Sequence, residues 1–285
     1  MLTTILALLI RIISNPLANL VQKIQSEKHN AVLINTYSYF FLSLACIAPT
    51  IMNNWSGYGL NFWLYALLAG ILCTLGSICL IKALQIGEMS ILGPINSYKC
   101  IVGLIIGYLL LGEIPSIYGI LGILLIIFGS WFIFDTVNEG FSFKLLLRKD
   151  IILRFCALFF TGCEAVVLKK IILISSVGES FILRCFTGFL FSILLLIVFR
   201  VKPERISGKD LFSCAGIATC IGLMQLSTNF VFERMNVGLS LALFQLSSVI
   251  AVIFGYKVFK EEHFLKKLTG SIIMIIGSCM ILLLK

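Results

Sequence analysis

An all-α integral membrane protein, with ten transmembrane helices arranged as two inverted five-helix repeats, is the fold class this sequence predicts. Three observations lead there. The 285 residues are 60% hydrophobic and only 12% charged, with a mean hydropathy of +1.08, whereas a soluble domain carries about 25% charged residues. The apolar residues gather into ten runs, each near the ~20 residues needed to cross a bilayer. The second five runs repeat features of the first at a constant offset.

The runs are 2–22, 32–50, 61–81, 89–111, 116–134, 151–173, 179–199, 211–232, 238–259 and 264–284. The opening MLTTILALLIRIISNPLANLV has no basic leader and no A-x-A cleavage site, and it holds an arginine in mid-run. It therefore reads as the first spanning helix rather than a secretory signal. The longest connection, DTVNEGFSFKLLLRKD at 135–150, separates a first repeat, 1–134, from a second, 151–285.

A shift of 148 residues brings Gly107-Tyr108 onto Gly255-Tyr256, Glu113 onto Glu261, Gly122 onto Gly270 and Gly129-Ser130 onto Gly277-Ser278. Apolar matches between membrane helices mean little, so the glycines and the glutamate carry the signal. Five is odd, so the second repeat enters the bilayer in the opposite sense. That is the architecture of secondary transporters whose substrate site lies near the midplane between the halves. GLIIG at 103–107 and its counterpart AVIFG at 251–255 suit close helix contact.

A net charge of +9 would suggest nucleic acid in a soluble protein. Here the basic residues stand between the apolar runs, so they read as topology and contact with anionic membrane lipids, with no nucleic-acid partner. Loops 1–2, 3–4, 5–6, 7–8 and 9–10 with their flanks hold fifteen Lys and Arg, and the side shared with the termini holds five. The positive-inside rule then puts both termini outside the cytoplasm. Ten cysteines lie almost wholly in apolar runs without a CxxC pair, and His29 and His263 lie in charged loops. No metal site follows from that pattern, no cofactor is implied, and the thiols read as packing residues.

Three ionisable residues fall deep in apolar runs: Arg11, Lys99 and Glu164. A charge at a helix centre costs about 2.5–3.5 kcal/mol on the insertion scale, so such residues mark function by default. Arg11, Asn15 and Asn19 recur four apart and share a face. Pro16 interrupts the same helix, a break tolerated where polar partners or water satisfy the freed carbonyl. Gln225, Asn229 and Glu233 repeat that spacing, and Asn96, Tyr98 and Lys99 cluster in GPINSYK. The expected substrate-binding set is Lys99, Arg11, Asn15, Asn19, Asn96, Tyr98, Gln225 and Asn229, with Glu164 the candidate for proton coupling. Such stripes also serve simply to bond helix to helix, and a Glu164–Arg11 salt bridge is the structural alternative for the charges. Two cations against one carboxylate point to a substrate with an anionic group. Glu113 and Glu261 read as caps of the helices that follow them, and Arg154 and Arg184 as residues that snorkel to headgroups.

The stretches KALQIGEMSILGPINSYKCIVGLIIGYLLLGEIPSIYGILGILLIIFGSWFIF at 82–134 and GLSLALFQLSSVIAVIFGYKVFKEEHFLKKLTGSIIMIIGSCMILLL at 238–284 resemble the drug/metabolite transporter superfamily, in its EamA-like branch. The resemblance implies ten helices around a central cavity and alternating access by rocking of the halves. Lys99 departs from it, since a small apolar residue is more usual there. The expected function is a secondary transporter, an exporter of a small anionic or zwitterionic metabolite such as an amino acid. It would work in the plasma membrane, perform no enzymatic step, and act as a monomer or weak homodimer. The alternative within the superfamily is a flippase of lipid-linked sugars or phospholipids. No HExxH, GxSxG or P-loop is present, so neither intramembrane catalysis nor ATP drive is expected. Short loops and few ring-forming charges speak against a channel.

Overall fold

Every element of the computed structural model is helical over the residues it describes, 2–102, 116–136, 146–202, 204, 207–235 and 237–283. In chain order these are α1 (Leu2–Ser26), α2 (Ala31–Ala45), α3 (Ile47–Met52), α4 (Leu60–Ile86), α5 (Met89–Leu92), a 3-10 turn (Pro94–Ser97) and α6 (Ile117–Phe134). There follow α7 (Lys149–Ile174), α8 (Val177–Val198), α9 (Gly208–Arg234), α10 (Val237–Phe244), α11 (Ser247–Phe259) and α12 (Phe264–Leu283). Among the described residues, eight spans are long and apolar enough to cross a membrane, and Ala31–Ala45 is a shorter apolar helix. The protein is thus a multi-pass membrane protein. Large apolar side chains such as Ile120, Leu124, Ile127 and Trp131 stay exposed along α6, as a lipid-facing surface requires.

Local chemistry sets several helix starts. Ser116, Ser176 and Ser207 each accept a hydrogen bond from the backbone N–H three residues on, and the Asn30 side chain accepts from Val32 N–H. These side chains satisfy donors that a helix start leaves free. The element bounds also recur at the offset of 148. Leu60–Ile86 shifts onto Gly208–Arg234 (60 + 148 = 208; 86 + 148 = 234), and the start of α5 shifts onto the start of α10 (89 + 148 = 237).

Two corrections concern the fourth and ninth runs. The expected helix 89–111 is not continuous in its described part. It breaks at Gly93-Pro94, because proline has no N–H to donate and crowds the preceding turn, and helix resumes over 98–102. The ninth run breaks between Phe244 and Ser247. The remainder of 89–111, including GLIIG, lies outside the described residues, as do Glu113 and most of the 135–150 connection. In AVIFG, Ala251 sits so close to Gly93 that a Cβ there would lie 2.7 Å from its methyl.

Among the described residues, α6 and α12 meet at close range. A Cβ on Gly122 would lie 2.6 Å from the carbonyl oxygen of Gly277, and one on Gly129 would lie 2.7 Å from that of Gly270. Backbone meets backbone at both levels, the close approach that small residues permit within a membrane.

Glu261 also acts differently from the expectation. It does not cap its own following helix. Its carboxylate accepts from the backbone N–H groups of Met89 (2.8 Å) and Ser90 (2.9 Å) and from the Ser90 hydroxyl, so it caps α5 from the other half. Lys23 pairs with it at 3.1 Å and donates also to Gly87 O at 2.8 Å. Lys267 pairs with Glu88 beside it. Burial pushes the Glu261 carboxyl up, but the Ser90 hydrogen bonds and Lys23 outweigh that and hold it below its usual value. These contacts bind α1, the α4–α5 junction and the α11–α12 turn at one end of the bundle.

Candidate functional site

The cavity forms where elements of both repeats meet. It measures about 130 Å³ and is lined from α1, α4, the broken fourth run, α7, α8, α9 and α10. The two breaks face each other across it, with Asn96 Nδ2 donating to Gln245 Oε1 at 3.0 Å. Irregular backbone at membrane depth is tolerated where protein or a wet cavity satisfies its polar groups. Arg154 shows how: its Nε donates to Leu92 O at 2.8 Å, the carbonyl beside Gly93-Pro94, and its Nη2 donates to Asn96 Oδ1 at 3.1 Å.

Six of the eight expected binding residues line this space: Lys99, Arg11, Asn15, Asn19, Asn96 and Gln225; Glu164 joins them. Arg11 donates through Nε to Thr228 Oγ1 at 2.8 Å and stacks over the Phe244 ring at 4.7 Å, while its buried Nη1 has no hydrogen-bond partner among the described residues. Asn15 Nδ2 reaches Ser247 Oγ at 3.3 Å. Gln225 donates to Asn229 Oδ1 at 2.7 Å. Lys99 is half-buried and within electrostatic range of Glu164, Arg11 and Arg154.

Two expected residues lie elsewhere. Tyr98 turns toward α6, where its hydroxyl bonds to Ser130 Oγ at 2.8 Å, and its ring meets Phe155 of α7 edge-on. Asn229 is fully buried behind the lining and ties α9 to α8 through Ser180 Oγ at 3.0 Å.

Two further cations line the cavity, in place of the headgroup position expected for them. Arg154 and Arg184 are both buried. Arg184 Nε donates to Glu164 Oε1 at 2.7 Å, so the carboxylate's partner is Arg184 and not Arg11. Both arginines lie within ten residues of a helix start, where snorkelling is the simplest expectation. The signal that could have corrected it is the facing: Arg154, Thr161, Glu164 and Leu168 fall at helical spacing on one side of α7.

The sequence pattern of the EamA-like transporter family matches residues 2–135 and again 148–283. The chain belongs to the EamA-like transporter family. Both copies of the EamA pattern therefore contribute to the cavity. Twenty-eight chains from solved structures match as well. One, titled only "Crystal structure of protein", superposes with a TM-score of 0.69 at 13% identity, covering 99% of this chain and 96% of that one. At that identity the likeness speaks for the fold alone. No curated protein matches this EamA-like chain.

Proposed function

We propose that this EamA-like protein is a secondary transporter that moves a small organic metabolite bearing an anionic group through the inter-repeat cavity by alternating access. The carrying observation is that cavity: four cations and one carboxylate from both repeats converge at the two helix breaks. Broken helices meeting at a repeat interface are the form that substrate sites take in such carriers. Binding is assigned to Lys99, Arg11, Asn15, Asn19, Asn96 and Gln225 in contact, with Asn229 and Tyr98 holding the shell behind them. The chain is a carrier rather than an enzyme. A volume of about 130 Å³ favours a small metabolite over a lipid-linked sugar.

The ten-helix, inverted five-plus-five arrangement is part of this reading. Its support is the exchange of partners at α6 and α12. Gly122 meets Gly277, the counterpart of Gly129, and Gly129 meets Gly270, the counterpart of Gly122. Two equivalent elements that trade contacts this way are related by a two-fold axis. The repeats are read as 1–134 and 151–285 about the connection at 135–150, and one chain completes the site, so a monomer suffices.

We place the protein in the plasma membrane as an exporter, with the loop side holding Lys23 and Glu261 facing the cytoplasm. Setting aside the two buried arginines leaves fourteen basic residues on that side against four (15 − 1 and 5 − 1). Glu164 is assigned the coupling role because it is the carboxylate lining the cavity among the described residues, and its partner there is Arg184 at 2.7 Å.

The test is metabolite profiling of cells and medium for three strains: intact chain, Lys99→Ala at equal membrane abundance, and empty vector. An anionic metabolite that shifts between cell and medium with the intact chain alone supports the reading. Equal shifts with Lys99→Ala would remove Lys99 from the site, and no shift against the vector would sink the transporter reading.

A further inference from the structure

We propose that the cavity takes a compact organic dianion, of the kind a phosphomonoester or a short dicarboxylate provides; this rests on the transporter reading above and narrows its substrate. Arg11, Lys99, Arg154 and Arg184 line the space, and among the described lining residues Glu164 is the carboxylate that answers them. Glu164 is already engaged, at 2.7 Å from Arg184 Nε. Three cations remain: Arg11, Lys99 and Arg154. No ion pair among the described residues includes any of them.

Neutral groups orient these cations without cancelling them. Arg154 is held by Leu92 O and Asn96 Oδ1, and Arg11 by Thr228 Oγ1. The buried Nη1 of Arg11 lacks any partner among the described residues, although an unmet buried donor is costly. Uncompensated cations in a low-dielectric space cost more still. A ligand that brings two negative charges answers both demands, and its oxygens can accept from guanidinium and ammonium together.

The same charges disfavour a zwitterion. An amino-acid ammonium would add a fifth cation to the cavity, and Glu164, the carboxylate that could offset it, is committed to Arg184. Size sets the other bound. The cavity of about 130 Å³ is close to the roughly 150 Å³ that holds a benzene ring, so the carbon skeleton is short.

The experiment uses the purified full-length chain in lipid nanodiscs and measures binding from ligand-induced thermal stabilisation. The probes form charge-matched pairs: succinate with monomethyl succinate, glycerol 3-phosphate with glycerol, and serine as the zwitterion. The expected result is that at least one dianion binds about tenfold or more tightly than its partner of lower charge and than serine, a difference of the size one ionic contact supplies. The succinate and phosphate arms say which acid the site prefers. Lys99→Gln and Arg154→Gln should each cut that preference to about threefold or less, and Lys99→Arg should keep it. Equal binding of the paired probes, tighter binding of serine, or no binding of either dianion at millimolar concentration overturns the proposal. So does dianion binding that both glutamine variants leave at full strength. Flux separates the two readings. A monoanion or serine carried into proteoliposomes, and lost with Lys99→Gln, leaves the transporter standing while the dianion falls. A dianion that binds but never crosses sinks the transporter instead.

Discussion

Replacing Glu164 with leucine should destabilise the protein far more than its small change in volume suggests. The Arg184–Glu164 contact is 2.7 Å between Nε and Oε1, and both side chains are under a tenth exposed. With charge centres roughly 4 Å apart and an effective dielectric near 20, the attraction is about 4 kcal/mol. Removing the carboxylate forfeits that attraction and leaves Arg184 charged beside Arg11, Lys99 and Arg154 in the same cavity. The Tyr39 ring at 6.0 Å returns only a fraction of it, about 0.5–1 kcal/mol. Breaking a buried pair by deleting one partner typically costs about 3–5 kcal/mol, so a loss of about 4 kcal/mol is expected. Near 2–4 °C per kcal/mol for a chain of this size class, the melting temperature in nanodiscs should fall by roughly 10 °C. Glu164→Leu combined with Arg184→Leu should recover most of the loss, because no lone charge then remains. A single-variant loss under about 1 kcal/mol, or a double variant no more stable than the single, would show that the pair does not neutralise Arg184 as argued.

Other consequences can be measured directly. Glu261 has its folded-state pKa depressed, so its stabilising contribution is present above the unfolded value of 4.5 and disappears as pH falls through the lower folded one. Glu261→Gln should therefore melt below the intact chain at pH 7 and converge with it at low pH; a constant gap would refute the ionised cap. Gly129→Ala should cost about 1–3 kcal/mol, because its Cβ would meet the backbone oxygen of Gly270 at 2.7 Å. Gly216→Ala, with nothing within 4 Å, should be neutral or gain up to about 1 kcal/mol of helix propensity. Glu164→Gln should make substrate flux in proteoliposomes independent of an imposed pH gradient; flux that still follows the gradient assigns coupling to another group.

Much of the fold was readable because membrane helices announce themselves twice, by length and by hydropathy. The glycine register was readable for a different reason. A glycine held at the same offset in both repeats marks a place where a Cβ would not fit, and Gly122, Gly129, Gly270 and Gly277 prove to be such places. The helix breaks were half legible. Gly93-Pro94 declares one of them, while the break before Ser247 carries no proline and depends on the Asn96–Gln245 bond that only the assembled halves provide.

The cavity's charge was the part least open to sequence reasoning, and the error has a physical source. Depth was inferred by counting along each run from its ends, which treats every helix as a straight rod in a flat slab. By that count Arg154 and Arg184 lie near water. In the folded protein the break at Gly93-Pro94 presents the carbonyl of Leu92 to the cavity, within 2.8 Å of Arg154 Nε, and Glu164 holds Arg184 from the neighbouring helix at 2.7 Å. By the same count two cations and one carboxylate, Arg11, Lys99 and Glu164, lie near the midplane, a net of +1 that suits an anionic or zwitterionic metabolite. Four cations and one carboxylate give a net of +3, and that difference is what narrows the proposed substrate from an anionic or zwitterionic metabolite to a dianion. The arginines nearest the helix starts thus carry the proposed preference for a dianion, while the amide stripe that the sequence made most visible divides between the cavity wall at Asn15 and Gln225 and the helix-to-helix bond at Asn229.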